Sequence, residues 1–396
     1  MRIVILSELF YPHGGGAELA TWLYSKMLSE EGIKVSVLTR QFAGEQSVSR
    51  LNANLTIYRI PFGVELNGRW DTLLNVPRLL NSSILKLFRE CDLVYLPGSW
   101  LAAALLAKMY GKPLLLHAHN YALICSLSVM YDPYLNRVER CTTKGFYWHE
   151  RLKRGSLPKA FASTLADVSL GRLYYGLAQL ADAIIFVSEA QYKLVIAYLP
   201  QLVRKSHIIP NPLPEDVPFE PLNSVGMAYF GGLDWKKGFR VLWEGIHLLP
   251  HHTTVDVYLV GTSNRVRMEQ LRGVRLHLTP RLSRPEQLNI MRNVSVVAFP
   301  SLWPEPFPYV VLETILAGRR LIASNVGGVP EIVRDMEHGV WLINAGDVKQ
   351  FIFALQEALA AHRNGEALKV NRERILAKYN NKISSDTFFC VAKELC

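Results

Sequence analysis

Along this chain short unbroken apolar runs alternate with longer segments of helical spacing, the rhythm of a sheet whose strands are covered on both faces. Runs at Arg2 to Ser7, Lys34 to Thr39, Leu93 to Pro97, Pro113 to His119, Ala183 to Val187 and Ser206 to Ile209 predict strands. Between them Ala17 to Glu31, Trp100 to Tyr110 and Glu189 to Tyr198 predict helices. Pro210-Asn211-Pro212-Leu213-Pro214 then breaks the rhythm and predicts a linker. A second series follows, with strands at Gly226 to Phe230, Val255 to Val260, Val274 to Leu278, Val294 to Phe299 and Leu321 to Ser324. Its helices are expected at Tyr309 to Ala317 and Asp347 to His362, and the tail from Arg374 to Cys396 reads as one or two more. The fold class is therefore α/β, expected as an N-terminal domain over 1–210, a C-terminal domain over 211–378 and a terminal segment over 379–396.

Two stretches depart from that rhythm. Trp70 to Arg89 mixes Leu73, Leu79, Leu85 and Phe88 with Arg78, Lys86 and Arg89, and Pro77 interrupts it. It reads as a core-packed helix pair with a solvated basic face, with membrane contact as the alternative. From Tyr131 to Tyr175 the alternation stops, and Arg137, Arg140, Lys144, Arg151, Lys153, Arg154 and Lys159 interleave with Phe146, Tyr147, Trp148 and Phe161. The plain reading there is a solvated basic loop leading into a long helix.

Composition narrows the class. A length of 396 residues suits two domains, and 49% hydrophobic residues are enough to fill both cores. The apolar start MRIVILSELF lacks a cleavage pattern and reads as a first strand, and no apolar run is long enough to span a bilayer. Five cysteines without a C-x-x-C pair argue for a reducing compartment and against a zinc site. A net charge of +10 favours an anionic partner, and no nucleic-acid-binding signature accompanies it.

The candidate chemistry concentrates in Phe299 to Glu331, FPSLWPEPFPYVVLETILAGRRLIASNVGGVPE. A strand end, a polar loop and a helix opening after Pro308 would present backbone amides and a positive dipole end to an anion. Glu305 lies in that loop, Glu313 in the helix, and Gly327, Gly328 and Glu331 follow the next strand. Loops after successive strands of such a sheet lie side by side, so both glutamates and the Gly-Gly turn are expected at one ligand. The alternative for each glutamate alone is a solvated surface charge. Two further elements suit a phosphate, the triplet Gly14-Gly15-Gly16 and the loop Gly231 to Gly238 with Lys236 and Lys237, with an ordinary flexible turn and a surface helix start as the alternatives. His117 and His119 at a strand end lie on the ligand edge of the sheet, with satisfied structural histidines as the alternative.

These residues resemble the retaining GT-B glycosyltransferases of family 4, marked by E-x7-E followed by Gly-Gly and a further Glu, here Glu305, Glu313, Gly327, Gly328 and Glu331. The resemblance implies two Rossmann-like domains facing a cleft, with the last helix crossing back to the first domain. It implies that Glu305 contacts donor-sugar hydroxyls, that Glu313 holds the ribose hydroxyls, and that His119, in a run similar to H-D-Y-x-x-x-C, is an active-site histidine. Gly15, Gly16, Gly232, Lys237, Arg281, Leu282, Phe307, Tyr309 and Val310 are its further implied donor-binding positions. The sequence departs from the family pattern at Asn120, Gly232, Pro280, Pro308 and Arg320, where aspartate, arginine, glycine, glycine and proline are usual. D-x-D is absent, so the expected enzyme moves a hexosyl group from a UDP- or GDP-linked sugar without metal or cofactor. An epimerase or phosphorylase on the same plan, or a nucleotide-sugar-binding protein without activity, are the alternatives, separated by product analysis.

The acceptor is expected to be a glycan or a lipid-linked sugar. Cations beside aromatic residues in Tyr131 to Tyr175 suit an anionic membrane surface, which would make the protein cytoplasmic and peripheral at the inner face of the cell membrane. A soluble acceptor with a solvated basic loop is the alternative.

Overall fold

The computed structural model describes residues 1–62, 75–98, 100, 104–219, 225–336, 338–366 and 372–396. The Trp70 to Leu74 part of the first basic stretch and the Leu101 to Ala103 part of an expected helix lie outside them. The chain divides into two compact units, Met1–Leu213 with Tyr379–Cys396, and Pro214–Lys378.

The first unit is built from strands β1 (Arg2–Leu6), β2 (Lys34–Arg40), β3 (Val48–Arg50), β4 (Leu55–Ile60), β5 (Leu93–Leu96), β6 (Leu114–Ala118), β7 (Ala183–Phe186) and β8 (Ser206–Ile208). They form one sheet in the order β3-β4-β2-β1-β5-β6-β7-β8, parallel throughout except at the β3 edge. Helices α1 (Gly16–Glu30), α2 (Ser82–Glu90) and α3 (Ala104–Met109) precede β6, α4 (Thr143–Arg154) and α5 (Leu157–Gln179) precede β7, and α6 (Glu189–Tyr198) follows it. Strands β1, β5, β6 and β7 are nearly continuous apolar runs because both of their faces are buried.

The second basic stretch is a loop only as far as residue 142: a helix, α4, then intervenes before the long helix expected to follow, α5. Thr142 caps α4 by accepting a hydrogen bond from the Gly145 amide at 3.0 Å, and Gly155, at φ +62°, ends the helix. Helix α5 then returns along α4, with the Ser163 hydroxyl donating to Glu150 at 2.8 Å. Asp132 anchors the base of this hairpin by accepting from the amides of Thr142, Tyr134 and Leu135. Leu152, Leu157, Phe161 and Val168 are exposed on the hairpin, beside exposed Arg151, Lys153 and Lys159.

The second unit carries β9 (Gly226–Tyr229), β10 (Val255–Val260), β11 (Arg267–Leu271), β12 (Val274–Thr279), β13 (Val296–Phe299), β14 (Arg320–Ser324) and β15 (Val340–Ile343), in the order β11-β12-β10-β9-β13-β14-β15. Its helices are α7 (Phe239–His247), α8 (Arg284–Arg292), α9 (Tyr309–Leu316), α10 (Val329–Val333), α11 (Val348–Arg363) and α12 (Arg372–Lys378). Arg319 and Arg320 are both buried. Their guanidinium groups donate to carbonyls of Met291 and Arg292, at the C-terminal end of α8, and of Glu366, just past α11, rather than face solvent.

The last helix, α13 (Asn381–Leu395), belongs to the first unit. Phe388 is fully buried there, its ring 5.1 Å from that of Tyr24 and 5.0 Å from that of Tyr95. Burying one such side chain contributes about 1.5–3 kcal/mol, and Asn381 adds a two-way hydrogen bond to the backbone of Leu213.

Candidate active site

In the second unit the strand order reverses between β9 and β13, which are hydrogen-bonded neighbours. Chain leaving those two strands in opposite crossover directions opens a crevice at their carboxyl ends, where ligands of such sheets bind. The loop after β9 carries Lys237 and the loop after β13 carries Glu305, so the fold itself sets these two side chains together.

Lys237 Nζ lies 2.5 Å from Glu305 Oε1, and the Ser301 hydroxyl donates to the same oxygen at 3.1 Å. Among the described residues no protein group hydrogen-bonds Oε2 of Glu305. The carboxylate is buried, whereas the lysine side chain keeps 33% of its exposure. The ammonium also lies over the Trp303 and Phe299 rings, at 5.5 and 6.0 Å from their centroids. The two loops are laced at the backbone: Leu302 N–H donates to the Lys236 carbonyl at 2.8 Å, and the Ser301 hydroxyl oxygen lies 3.2 Å from the same carbonyl.

Glycines permit this approach. A Cβ on Gly238, at φ +76°, would fall 1.7 Å from the Pro300 carbonyl oxygen. One on Gly327, at φ +53°, would fall 2.2 Å from the Glu305 carbonyl oxygen, and that carbonyl accepts from Gly328 N–H at 2.8 Å. The Gly-Gly turn after β14 thus holds the backbone of Glu305 from behind. Gly232 sits at φ +63° against the Gly261 carbonyl, a position that strains any larger residue, the family's usual arginine included. Lys236 does not take up that arginine's place freely, because its ammonium pairs with Asp234 at 3.2 Å.

Glu313 lies on the buried face of α9 and is not the exposed helix charge that a lone glutamate would be. Arg284 Nη1 donates to its Oε1 at 2.5 Å, while Arg284 Nε and Nη2 grip both oxygens of Asp216 at 2.8 and 2.7 Å. Burial pushes the Glu313 carboxyl above the usual carboxylate range, and Arg284 pulls it back. Neither Arg284 nor Asp216 was visible as a site residue in the sequence.

Tyr309 and Val310 are the first two residues of α9, where backbone amides point out of the helix end. Phe307 packs edge-on against Tyr309 with ring centroids 6.1 Å apart. Arg281 and Leu282 lie in the loop between β12 and α8. The Leu282 carbonyl already accepts from Gln287 Nε2 at 2.8 Å, and the Pro280 carbonyl from Gly261 N–H.

The remaining expected residues, Gly15, Gly16 and His119, are in the first unit. Gly16 opens α1, but the amide of Gly15 is occupied by the Glu18 carboxylate at 2.6 Å, so that an incoming anion would have to displace Glu18. His119 follows β6, with its ring 4.1 Å from that of His117. Burial lowers the His119 pKa to about 3 and that of His117 well below its usual value, so both are neutral imidazoles at pH 7. His117 bonds the Tyr95 hydroxyl through Nδ1 at 2.7 Å, and the Nε2 atoms of both histidines are buried without a hydrogen-bond partner. Both rings line a pocket with Gly98, Asn120 and Leu123. Gln191 on α6, which sequence reasoning missed, donates to the carbonyls of Ala118 and Asn120 and so fixes the turn that carries His119. Asn120 bonds the Ala122 amide through Oδ1, an acceptor that aspartate would equally supply.

Among the described residues no group of three or more His, Cys, Asp or Glu is placed to hold a metal ion, and no helix is long and apolar enough to cross a membrane.

Residues 14–217 match the model of Glycosyltransferase Family 4, and residues 225–361 that of Glycosyl transferases group 1. An uncharacterized 42.6 kDa protein from the cps region of Klebsiella pneumoniae is 25% identical over 90% of this chain and 94% of its own. A human phosphatidylinositol N-acetylglucosaminyltransferase polypeptide is 22% identical over 92% of this chain and 69% of its own. Among solved structures, sucrose-phosphate synthase from Thermosynechococcus elongatus superposes with a TM-score of 0.72 at 16% identity, covering 100% of this chain and 98% of that one. Anabaena HepE in complex with UDP and glucose gives 0.67 at 16% identity, covering 100% of both chains. These likenesses identify the fold as GT-B.

Proposed function

The chain belongs to the family 4, group 1 glycosyltransferases, and on that premise we propose that it moves a hexosyl group from a nucleotide-diphospho-sugar to a glycan or lipid-linked acceptor with retention of anomeric configuration. The observation that carries this reading is the Lys237–Glu305 pair at the strand-order reversal. An ammonium has three donors. One is spent on Glu305, which leaves two for the oxygens of a diphosphate. Glu305, with Oε1 bound to Lys237 and Ser301, turns Oε2 to the donor sugar's hydroxyls.

In the reaction the bond between the anomeric carbon and the diphosphate breaks, and its electron pair leaves on the phosphate oxygen. The acceptor hydroxyl bonds to the same carbon, and its proton passes to the departing phosphate. Lys237 and the N-terminal amides of Tyr309 and Val310 offset the charge that develops there, the role a metal ion fills elsewhere. His119, neutral, donates or accepts a hydrogen bond at the sugar. The donor is UDP- or GDP-linked, a reading supported by HepE, whose structures hold UDP with glucose and UDP-glucose. No metal and no cofactor take part.

A lipid-linked acceptor at the cytoplasmic face of a membrane is supported by the exposed apolar side chains and cations of the α4–α5 hairpin. The human relative, named for phosphatidylinositol, supports it too. A panel of UDP-, GDP- and ADP-sugars scored by thermal stabilisation tests the donor, since ligand at about 100 times its dissociation constant adds about 2.7 kcal/mol. NMR of the product's anomeric proton then tests retention. Stabilisation by none of the three, or an inverted product, overturns the corresponding part.

A further inference from the structure

Glu313 is a buried carboxylate whose partner is arranged with more care than charge balance requires. A single cation beside it would offset burial. Arg284 instead spends Nε and Nη2 on the two oxygens of Asp216, at 2.8 and 2.7 Å, and only Nη1 on Glu313. A guanidinium is planar and its donors are rigid with respect to one another. Once Asp216 fixes the plane from one side, the direction of Nη1 is fixed, and with it the position of Glu313 Oε1. Among the described residues no protein group bonds the other oxygen, Oε2.

The exposures run in the order such a chain of contacts needs. The Glu313 side chain keeps 8% of its exposure, Arg284 16% and Asp216 53%, so the clamp is anchored at the surface and delivers its effect inward. Backbone geometry adds to the fixity: Arg284 is the first residue of α8, directly after Ser283, whose amide and hydroxyl are both bound by Glu286.

We infer that Arg284, held by Asp216, is a positioning residue that aims the second oxygen of Glu313 at the vicinal hydroxyls of the nucleotide's ribose, and thereby sets the enzyme's preference for ribonucleotide over deoxyribonucleotide donors. This rests on the reading of Glu313 as the ribose ligand. With Oε1 held by Arg284, the two hydroxyls of a vicinal diol can both donate to Oε2 only when its two lone pairs are turned toward them. A carboxylate free to rotate loses that selectivity while keeping its charge.

The test uses the full-length protein and calorimetric titration with UDP, GDP and ADP, followed by the 2′-deoxy and 3′-deoxy forms of whichever binds most tightly. The wild-type protein is expected to bind each deoxy form about tenfold or more weakly, as for loss of one hydrogen bond to a charged group. In Arg284→Gln the parent nucleotide weakens about tenfold, the deoxy forms change little, and the preference shrinks below about threefold. The donor's KM rises by a like factor while kcat moves less than about threefold, because the interaction is made equally in ground and transition states. Arg284→Lys restores part of the preference, and Asp216→Asn lowers it with Arg284 still present. Should Arg284→Gln fail to fold by circular dichroism, Asp216→Asn decides alone. Absence of nucleotide binding or of any ribose preference in the wild-type protein overturns the ribose reading and this inference with it. A wild-type preference that survives in Arg284→Gln, or in Asp216→Asn where that variant decides, overturns the inference alone, as does equal weakening of all three ligands.

Discussion

The carbonyl oxygen of Glu305 accepts the amide of Gly328 at 2.8 Å, while its carboxylate, on the other side of the same residue, receives Lys237. One glutamate is thereby held by loops from three strands, β9, β13 and β14. Its position is a property of the whole carboxyl edge of the sheet rather than of its own loop.

Glu305→Gln keeps the shape and hydrogen-bonding oxygen but loses the charge that faces Lys237. Transfer should fall by at least about a hundredfold, the scale for one preorganised electrostatic group, with the far-ultraviolet circular dichroism unchanged. Wild-type turnover would remove Glu305 from the chemistry.

Lys237→Ala removes the cation proposed for the departing diphosphate. The expected loss in kcat is about 10²–10³-fold, or about 2.7–4 kcal/mol. Wild-type activity should persist in EDTA. Complete loss on chelation, restored by Mn²⁺ or Mg²⁺, would contradict charge neutralisation by the protein alone.

Gly327→Ala places a methyl 2.2 Å from the Glu305 carbonyl at φ +53°. The backbone must shift, and the left-handed conformation alone costs about 1–2 kcal/mol. Stability measured in urea should drop by at least that amount, and the turnover should fall with it because the displaced atoms belong to Glu305. A variant as stable as wild type but inactive would separate the two effects.

His119 titrates at about 3 in the folded protein against about 6.5 in an unfolded chain. Below pH 6.5 the unfolded state therefore takes up a proton that the native state refuses. Stability is fully present above pH 6.5 and is lost as pH falls from there toward 3, by about 1.4 kcal/mol per pH unit for this one group. Urea midpoints between pH 7 and pH 4.5 should fall less steeply in His119→Gln than in wild type. Activity should show no inflection from His119 between pH 5 and 8.

Vesicle co-sedimentation checks the α4–α5 hairpin. Binding to anionic but not neutral vesicles is expected, weakened by salt and by glutamine at Arg151, Lys153 and Lys159, each cation contributing about 1 kcal/mol. Phe161→Ser should weaken it without changing the salt dependence. No sedimentation at low salt would leave a soluble acceptor as the surviving reading.

The central strands and the strand-loop-helix around Glu305 were legible because each is a contiguous signal: an apolar run, a proline, then a helical period. Edge strands were not. Arg267–Leu271 is mostly exposed and so carries no apolar run to read, and Val48–Arg50 is alike. The α4–α5 hairpin hid behind its charges, since its helices leave many apolar side chains uncovered and blur the period that marks a buried face. Arg284 reaches Glu313 across 29 residues and Gln191 reaches the His119 turn across 71 to 73, pairings that no local pattern encodes. Even the departure at Gly232 acquires its reason only from the nearby Gly261 carbonyl.

Phe388 completes a core that begins with Ile3 and Tyr24, yet the whole of the second unit, 214–378, lies between them in the chain. During translation the order of completion is therefore inverted. The second unit is an uninterrupted stretch of chain, whereas the first keeps a gap beside Tyr24 and Tyr95 until Phe388 has been made. A chain cut after residue 378 would therefore keep residues 214–378 whole while taking Phe388, Val391 and Ala392 out of the first unit's core.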